Sequence, residues 1–285
     1  MSQRGRGKHF SPRRGTLEAI ARIAYAGGWP GRLWGALPGR SDVDVLRHEI
    51  DLLPARVGGR RELRLVFLSD LHIGPLTPRR LLDRAFEHVS RLQPDVLVLG
   101  GDYVFLEATN AVARELQDRV ASVPARVKLA VLGNHDLWTR HDRLQAALER
   151  AGAQVLVNQG MRLPAPFEDV AFIGLDDVWS GEADARKALD EVAGAPLILG
   201  VAHSPEAVPL LNGSGVRLLL CGHTHGGQVA LPSGPILVHG PHGRLWPSGF
   251  HGLGSMNLFV SRGLGNVDLP IRLGARPDIG FFRLR

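Results

Sequence analysis

From residue 62 onward, short apolar runs alternate with longer amphipathic stretches. The runs have the length and composition of strands buried on both faces, and they occupy residues 63–68, 95–99, 127–132, 170–173, 197–202 and 217–221. Helical periodicity is found between them, over residues 79–92, 110–122, 140–151 and 183–193. Strands that alternate with helices predict an α/β fold.

The final third of the chain is richer in glycine, and its apolar runs are closer together. This pattern is typical of strands joined by turns, which we expect at residues 228–231, 236–238, 258–261 and 279–284. A β-rich end after alternating β and α segments predicts a layered α/β sandwich with mixed sheets.

Most of the strands predicted before the glycine-rich end finish in a polar cluster, and these clusters share one chemical type. They are Asp70-Leu71-His72, Gly101-Asp102, Gly133-Asn134-His135-Asp136, His203 and Gly222-His223-Thr224-His225. Ligands of open α/β sheets bind beyond the carboxyl ends of the strands. We therefore expect five strand ends to deliver carboxylates, an amide and imidazoles to one place.

These side chains have the chemistry of a two-metal site. Two divalent ions about 3.5–4 Å apart need a bridging anion, and both carboxylate oxygens of Asp102 can accept. Imidazole suits zinc, iron or manganese, whereas magnesium and calcium prefer oxygen ligands. Taken singly, each histidine would be a hydrogen-bonded core residue and Asp102 a helix cap. As a set, they would be costly to bury without metal. The sequence predicts two divalent ions, Mn, Fe or Zn rather than Mg or Ca.

With these motifs in this order, the chain resembles the calcineurin-like metallophosphoesterase superfamily over about residues 63–285. Gly226-Gly227-Gln228 and residues 261–265 are similar to its bacterial membrane-associated branch. That branch includes phosphodiesterases and UDP-2,3-diacylglucosamine hydrolases of lipid A synthesis. The resemblance implies a four-layer α-β-β-α sandwich with two mixed β-sheets, the metallophosphoesterase fold.

The resemblance also implies a role for each polar residue. One metal ion would be held by Asp70, His72, Asp102 and His225, and the other by Asp102, Asn134, His203 and His223. His135 would protonate the leaving group, and Asp136 would orient His135 or a metal ligand. The implied activity is metal-dependent hydrolysis of a phosphodiester or pyrophosphate, without a covalent enzyme intermediate.

Basic residues are concentrated at the N-terminus. Of the net charge of +6, five positive charges lie within residues 1–17, on Arg4, Arg6, Lys8, Arg13 and Arg14. Because the rest of the chain is nearly neutral, no specific nucleic-acid binding is expected. Leu17, Ile20 and Ile23 follow at helical spacing, and Trp29 and Trp34 come next. Basic residues, an apolar face and tryptophans are typical of a membrane-surface segment.

We therefore divide the chain into a basic N-terminal arm, residues 1–60, and a catalytic domain, residues 61–285. Residues 1–34 are the candidate contact with an anionic membrane. We expect a cytoplasmic protein that binds the inner membrane face through them, and we expect it to be a monomer. Two alternatives stay open: the arm docks on the domain, or Arg13-Arg14 belongs to a twin-arginine export signal. Glu18 and Arg22 interrupt the apolar region that such a signal needs.

The residues leave more than one substrate class open. The arm and the branch resemblance favour a lipid-linked phosphoester, such as a UDP-2,3-diacylglucosamine-like compound or a phospholipid. The alternatives are a soluble phosphodiesterase acting on nucleotides or small diesters, and a catalytically silent scaffold, which would lack metal ligands. His239, His242 and His251 lie in the glycine-rich region and are further candidates for substrate contact.

Overall fold

A six-stranded mixed sheet supports the first half of the predicted site. The computed structural model describes residues 5–8, 12–54 and 62–285. The strands of this first sheet are Asp44–Ile50 (β1), Leu63–Leu68 (β2), Val96–Leu99 (β3), Val127–Ala130 (β4), Ala153–Val155 (β5) and Asp278–Leu284 (β14). Their order is β1-β14-β2-β3-β4-β5. β2 to β5 are parallel, and β14 runs antiparallel to β2 and parallel to β1.

A second six-stranded sheet supports the other half. Its strands are Gln159–Arg162 (β6), Val170–Gly174 (β7), Leu197–Val201 (β8), Val216–Cys221 (β9), Gly249–Leu253 (β12) and Met256–Val260 (β13). Their order is β12-β13-β9-β8-β7-β6, with β12 and β6 antiparallel to their neighbours. A short ribbon pairs Ala230–Leu231 (β10) with Gly234–Pro235 (β11).

The strand predicted at residues 236–238 is wrong. The ribbon ends at Pro235, and the chain continues as a loop in which Ile236 and Leu237 are exposed. A run of three apolar residues has no alternation that would assign it to a sheet face, so apolarity alone misled the prediction.

The described residues form nine α-helices. They are Pro12–Ala24 (α1), Trp29–Ala36 (α2), Arg79–Leu92 (α3), Asn110–Ala121 (α4), Asn134–Trp138 (α5), His141–Arg150 (α6), Ala185–Asp190 (α7), Val208–Leu211 (α8) and Pro241–Leu245 (α9). Buried side chains of α3, α4 and α6 pack on the first sheet, and those of α7 and α8 pack on the second. This arrangement confirms the predicted four-layer α-β-β-α sandwich.

The alternation of side chains along β2 shows how the layers form. Leu65 and Phe67 point into the core between the sheets, where Phe67 packs edge-on against Phe259. Val66 and Leu68 belong to the core under the helices. Successive strand residues face opposite sides, and a strand buried on both sides must be apolar throughout.

The described part of the arm contains α1, a short 3₁₀ turn at Ala26–Gly28, α2 and β1. β1 lies within the predicted arm, yet it pairs with β14 from Asp44 opposite Asp278 to Ile50 opposite Leu284. This part of the arm is therefore built into the first sheet. The predicted boundary between residues 60 and 61 lies outside the described residues, as does all of 55–61. Within the described chain, no helix has the length and apolarity needed to cross a bilayer.

Candidate metal centre

The carboxyl ends of β2, β3, β4, β8 and β9 converge, and with them the polar clusters that follow these strands. Three groups of side chains in the described chain place their donor atoms within 4.8 Å of one another. The groups are Asp70 with His72 and His225, His72 with Asp102 and His135, and Asp102 with His203 and His223. Asp102 and His72 each belong to two groups, so the three groups form one continuous cluster.

The first group joins the loop after β2 to the loop after β9. The Nε2 atoms of His72 and His225 lie 3.0 Å apart, and Asp70 Oδ1 lies 3.4 Å from His225 Nε2. Asp102 Oδ2 is 3.7 Å from His72 Nε2, at the border with the next group. All four side chains are buried.

The third group joins the loop after β3 to the loops after β8 and β9. His203 Nε2 lies 3.2 Å from Asp102 Oδ2 and 3.3 Å from His223 Nδ1. Asn134 Oδ1 and His223 Nε2 are buried, and neither has a hydrogen-bond partner among the described residues. Such orphaned atoms are rare in proteins, and an amide oxygen and an imidazole nitrogen are both metal ligands.

Divalent cations bind carboxylates and neutral imidazoles. The pKa shifts of Asp102, His72, His225 and His223 favour these forms, whereas burial raises the pKa of Asp70 and so favours its neutral acid. Burial alone would raise the pKa of Asp102, but His203, His135 and His72 outweigh it and hold that pKa well below its usual value. Burial lowers the pKa values of His72 and His225, and brings that of His223 to about 3. Burial opposes protonation of His203 as well, but Asp102 overrides it and raises the pKa well above the ordinary value.

Five of the seven predicted donors have an uncommon backbone conformation. Asp70, His72, Asp102, His223 and His225 have φ angles of 52°, 41°, 54°, 71° and 54°. Positive φ is unfavourable for residues other than glycine, and it concentrates at functional sites. The sharp turns aim the side chains back into the cluster instead of along the strands.

His135 and Asp136 lie beside the donors at the start of α5. The His135 backbone N–H donates to Asp102 Oδ1 at 2.8 Å, and the His135 ring centroid is 4.9 Å from that of His72. Asp136 accepts hydrogen bonds from the backbone N–H groups of Asp102, Tyr103 and Gly133. The Asp136 carboxylate thus links the loops after β3 and β4 through backbone groups. Burial raises its pKa to about 8, and the neighbouring Asp102 contributes to this rise.

The three histidines of the glycine-rich region, His239, His242 and His251, have surroundings that differ from those of the donor cluster. His242 Nδ1 lies 2.6 Å from Glu206 Oε2, and His251 Nε2 lies 3.0 Å from the carbonyl oxygen of Ser248. His239 is exposed. None of the three belongs to the donor groups found in the described chain.

Sequence reasoning missed Arg272, which lies beneath the cluster. Its side chain is buried, donates to the carbonyl oxygens of Gly265 and Ala275, and places Nη2 2.8 Å from His225 Nδ1. Nothing in the local sequence distinguishes this arginine from the exposed ones nearby. Sequence reasoning also missed Trp179, because no local pattern marks it. Its ring stacks on that of His223, with ring centroids 5.7 Å apart.

The arm reaches this site, as the docking alternative predicts. Gly5 and Gly7 donate backbone hydrogen bonds to Trp138 and Leu137 of α5, and Arg6 forms a bidentate pair with Asp176 at 2.7 Å for both bonds. Farther along the arm, α1 brings Arg14 to His135.

Comparisons with known proteins agree with this architecture. The family model described as calcineurin-like phosphoesterase matches residues 63–227. Phosphodiesterase YaeI of Escherichia coli (strain K12) is 28% identical over 285 residues, covering 96% of this chain and 99% of that protein. Metallophosphoesterase YkoQ of Bacillus subtilis (strain 168), described as uncharacterized, is 30% identical over 267 residues, covering 88% and 94%. The crystal structure of TT1561 of Thermus thermophilus shares the fold, with a TM-score of 0.51 at 11% identity over 72% of this chain and 91% of that one.

Proposed function

The chain belongs to the calcineurin-like phosphoesterase family, and from this premise we propose that it hydrolyses a lipid-linked phosphodiester or pyrophosphate with two divalent metal ions. Family membership makes it a phosphoric ester hydrolase and implies divalent metal ions. The observation that carries the two-ion part is Asp102, which belongs to two donor groups at once. A carboxylate shared in this way is what a pair of neighbouring ions requires.

The two ions would be held by the residues that the sequence predicts. Asp70, His72, Asp102 and His225 would hold one, and Asp102, Asn134, His203 and His223 the other. Bound ions of this kind polarise phosphoryl oxygens and make water more acidic. The protein contributes rigidity, because each donor sits on a short turn at the end of a buried strand.

His135 is placed to act on the leaving group. Its ring is buried beside His72 and Asp102 but at the border of the cluster, where a substrate could reach it. The proton donor would be the protonated His135 ring, which returns to neutral imidazole as the departing oxygen takes the proton. Burial lowers the pKa of His135, and the negative charge of a phosphoester bound beside the ring would favour its protonated form. Proton donation of this kind contributes roughly 10²–10⁴-fold in rate. Asp136 acts through the backbone and positions the Asp102 loop.

The lipid-linked part rests on the exposed face of the arm. Leu17, Ile20 and Ile23 are 64%, 57% and 81% exposed on α1. A contiguous exposed apolar surface marks an interaction site, and beside the basic residues of this helix it suits an anionic membrane. Because α1 also reaches His135 through Arg14, a membrane bound by residues 1–34 would lie close to the site.

A soluble nucleotide or small-diester phosphodiesterase is the second candidate. Arg6 anchors the arm to Asp176, which is also what a purely structural arm would do. A silent scaffold is disfavoured, because no predicted donor is missing from the cluster.

A substrate screen tests the proposal. Metal-loaded protein is assayed with UDP-2,3-diacylglucosamine, phospholipids, cyclic nucleotides and an aryl phosphodiester, with Asp102→Ala as the control. We expect the highest kcat/KM for a lipid-linked substrate. Preference for cyclic nucleotides would favour the second candidate, and equal inactivity of both proteins on every substrate would support the scaffold.

A further inference from the structure

Arg14 is a residue of the arm that lies at the proposed leaving-group histidine. Its Nη2 atom is 3.5 Å from His135 Nε2, although 121 positions separate the two residues. The Arg14 side chain is 24% exposed, so it is partly withdrawn from solvent yet open to a ligand.

Neighbouring groups hold the Arg14 guanidinium in this orientation. Its Nε donates to Glu18 Oε1 at 3.2 Å, one helical turn along α1, and the Glu18 side chain is only 9% exposed. The guanidinium lies 5.2 Å above the ring of Trp138, whose centroid is 4.9 Å from that of His135. The Glu18 carboxylate and the Trp138 ring restrain the Arg14 guanidinium more than contact with solvent would.

The contacts of Arg14 differ from those of the arginine that anchors the arm. Arg6 forms two short bonds to one buried carboxylate, Asp176. Arg14 faces an imidazole nitrogen, and one of its acid partners, Asp268, is 3.3 Å away and 58% exposed. The guanidinium carries a positive charge and lies beside the His135 ring, so an anion bound next to that ring would lie within reach of both groups.

We propose that Arg14 is a substrate-binding residue, which contacts the non-bridging phosphate oxygens of the substrate next to His135. The planar guanidinium offers several N–H donors in a fork that matches phosphate oxygens, and Asp268 is exposed enough to release it. This inference rests on the proposed function and deepens it: the arm completes the active site, and the ligand is a phosphoryl group.

The test measures the binding of inorganic phosphate to the full-length, metal-loaded protein in the absence of lipid. Arg14→Met keeps the apolar stem over Trp138 and removes the charge, while Arg14→Lys keeps the charge and loses the fork. Arg13→Met is the matched control, because Arg13 is exposed on the same helix. Metal content is measured for each protein.

We expect Arg14→Met to raise the phosphate Kd by about tenfold to hundredfold, as loss of a charge-assisted hydrogen bond does. Arg14→Lys should lie between Arg14→Met and the wild type, Arg13→Met should change Kd less than about twofold, and metal content should not change. An Arg14→Met protein that binds phosphate as the wild type does would overturn the proposal, as would an increase in its affinity. Failure of the wild type to hydrolyse any diester would count against the proposed function, whereas the phosphate comparison would still decide the role of Arg14.

Discussion

The residues that carry the predicted metal donors have backbones that few side chains tolerate. Asp70, His72, Asp102, His223 and His225 all have positive φ, at a cost of the order of 1–3 kcal/mol each. A protein without a use for these conformations would place glycine or asparagine there. Half of the ten non-glycine residues with positive φ in the described chain are predicted donors, so this conformation is concentrated where the residue types predict metal.

Removing a shared donor should have a different effect from removing the neighbouring histidine. We expect Asp102→Ala to lose both metal ions and nearly all activity, because Asp102 belongs to the proposed donor set of each ion. His135→Ala should keep both ions and lose about 10²–10⁴-fold in kcat. Elemental analysis and kinetics on an aryl phosphodiester measure the two effects. Equal metal loss in both variants would remove the leaving-group role from His135.

At the scale of elements, two loops from different sheets approach closely at the site. Gly222 follows β9, and a Cβ atom added there would lie 1.9 Å from Ser69 Oγ and 2.3 Å from Asp70 Oδ2, both in the loop after β2. A side chain at this position is excluded by Ser69 and by the Asp70 carboxylate that it would displace. The glycine thus belongs to the site without supplying a donor atom.

Gly222→Ala tests this packing. We expect it to displace Asp70, to lower metal content below two ions, and to reduce kcat/KM by about tenfold or more, because a displacement near 1 Å has large effects on catalysis. Gly252→Ala is the control, since a Cβ added at Gly252 in β12 would meet no atom within 4 Å. If the two alanine variants bound metal and hydrolysed substrate equally, close packing of the loops would not matter to the site.

At the scale of the whole molecule, the donor cluster lies across the gap between the two sheets. Asp70, His72 and Asp102 follow strands of the first sheet, while His203 and His225 follow strands of the second. Ions held by both sets would cross-link the halves of the sandwich.

Metal removal should therefore destabilise the entire fold. At a hundredfold excess over Kd, one bound ion contributes about 2.7 kcal/mol to the free energy of unfolding. We expect a chelator to lower the Tm of the wild type, measured by calorimetry, and to leave that of Asp102→Ala unchanged. A wild-type Tm that did not respond to the chelator would contradict a cross-linking role for metal.

The exposed face of α1 makes a prediction about the intact protein on membranes. We expect sedimentation with anionic vesicles that weakens at high salt without vanishing, because salt screens charge but not apolar burial. The double variant Ile20→Asp/Ile23→Asp should reduce binding by about tenfold or more. The control is Leu210→Asp, which changes an exposed leucine of α8. Absence of wild-type binding even at low salt would leave the arm with a structural role only.

The sequence by itself determined the α/β class and the residue types at the strand ends, and the family resemblance that these residues carry implied the four layers. Alternating apolar runs and helical periodicities are local signals, and a polar cluster after a buried strand lies at the carboxyl end of that strand. Asp102 and His203 follow strands of different sheets, so the family resemblance assigned them to one ion, and the structure places Asp102 Oδ2 3.2 Å from His203 Nε2.

Only the tertiary structure decided which single residues complete that cluster. Arg272 beside His225 and Arg14 beside His135 belong to no periodic pattern, and the two pairs are separated by 47 and 121 positions of sequence. The pairing of β1 with β14 likewise joins two distant segments. Contacts of this kind depend on where the folded chain brings two surfaces together, and no local preference of either segment specifies that meeting.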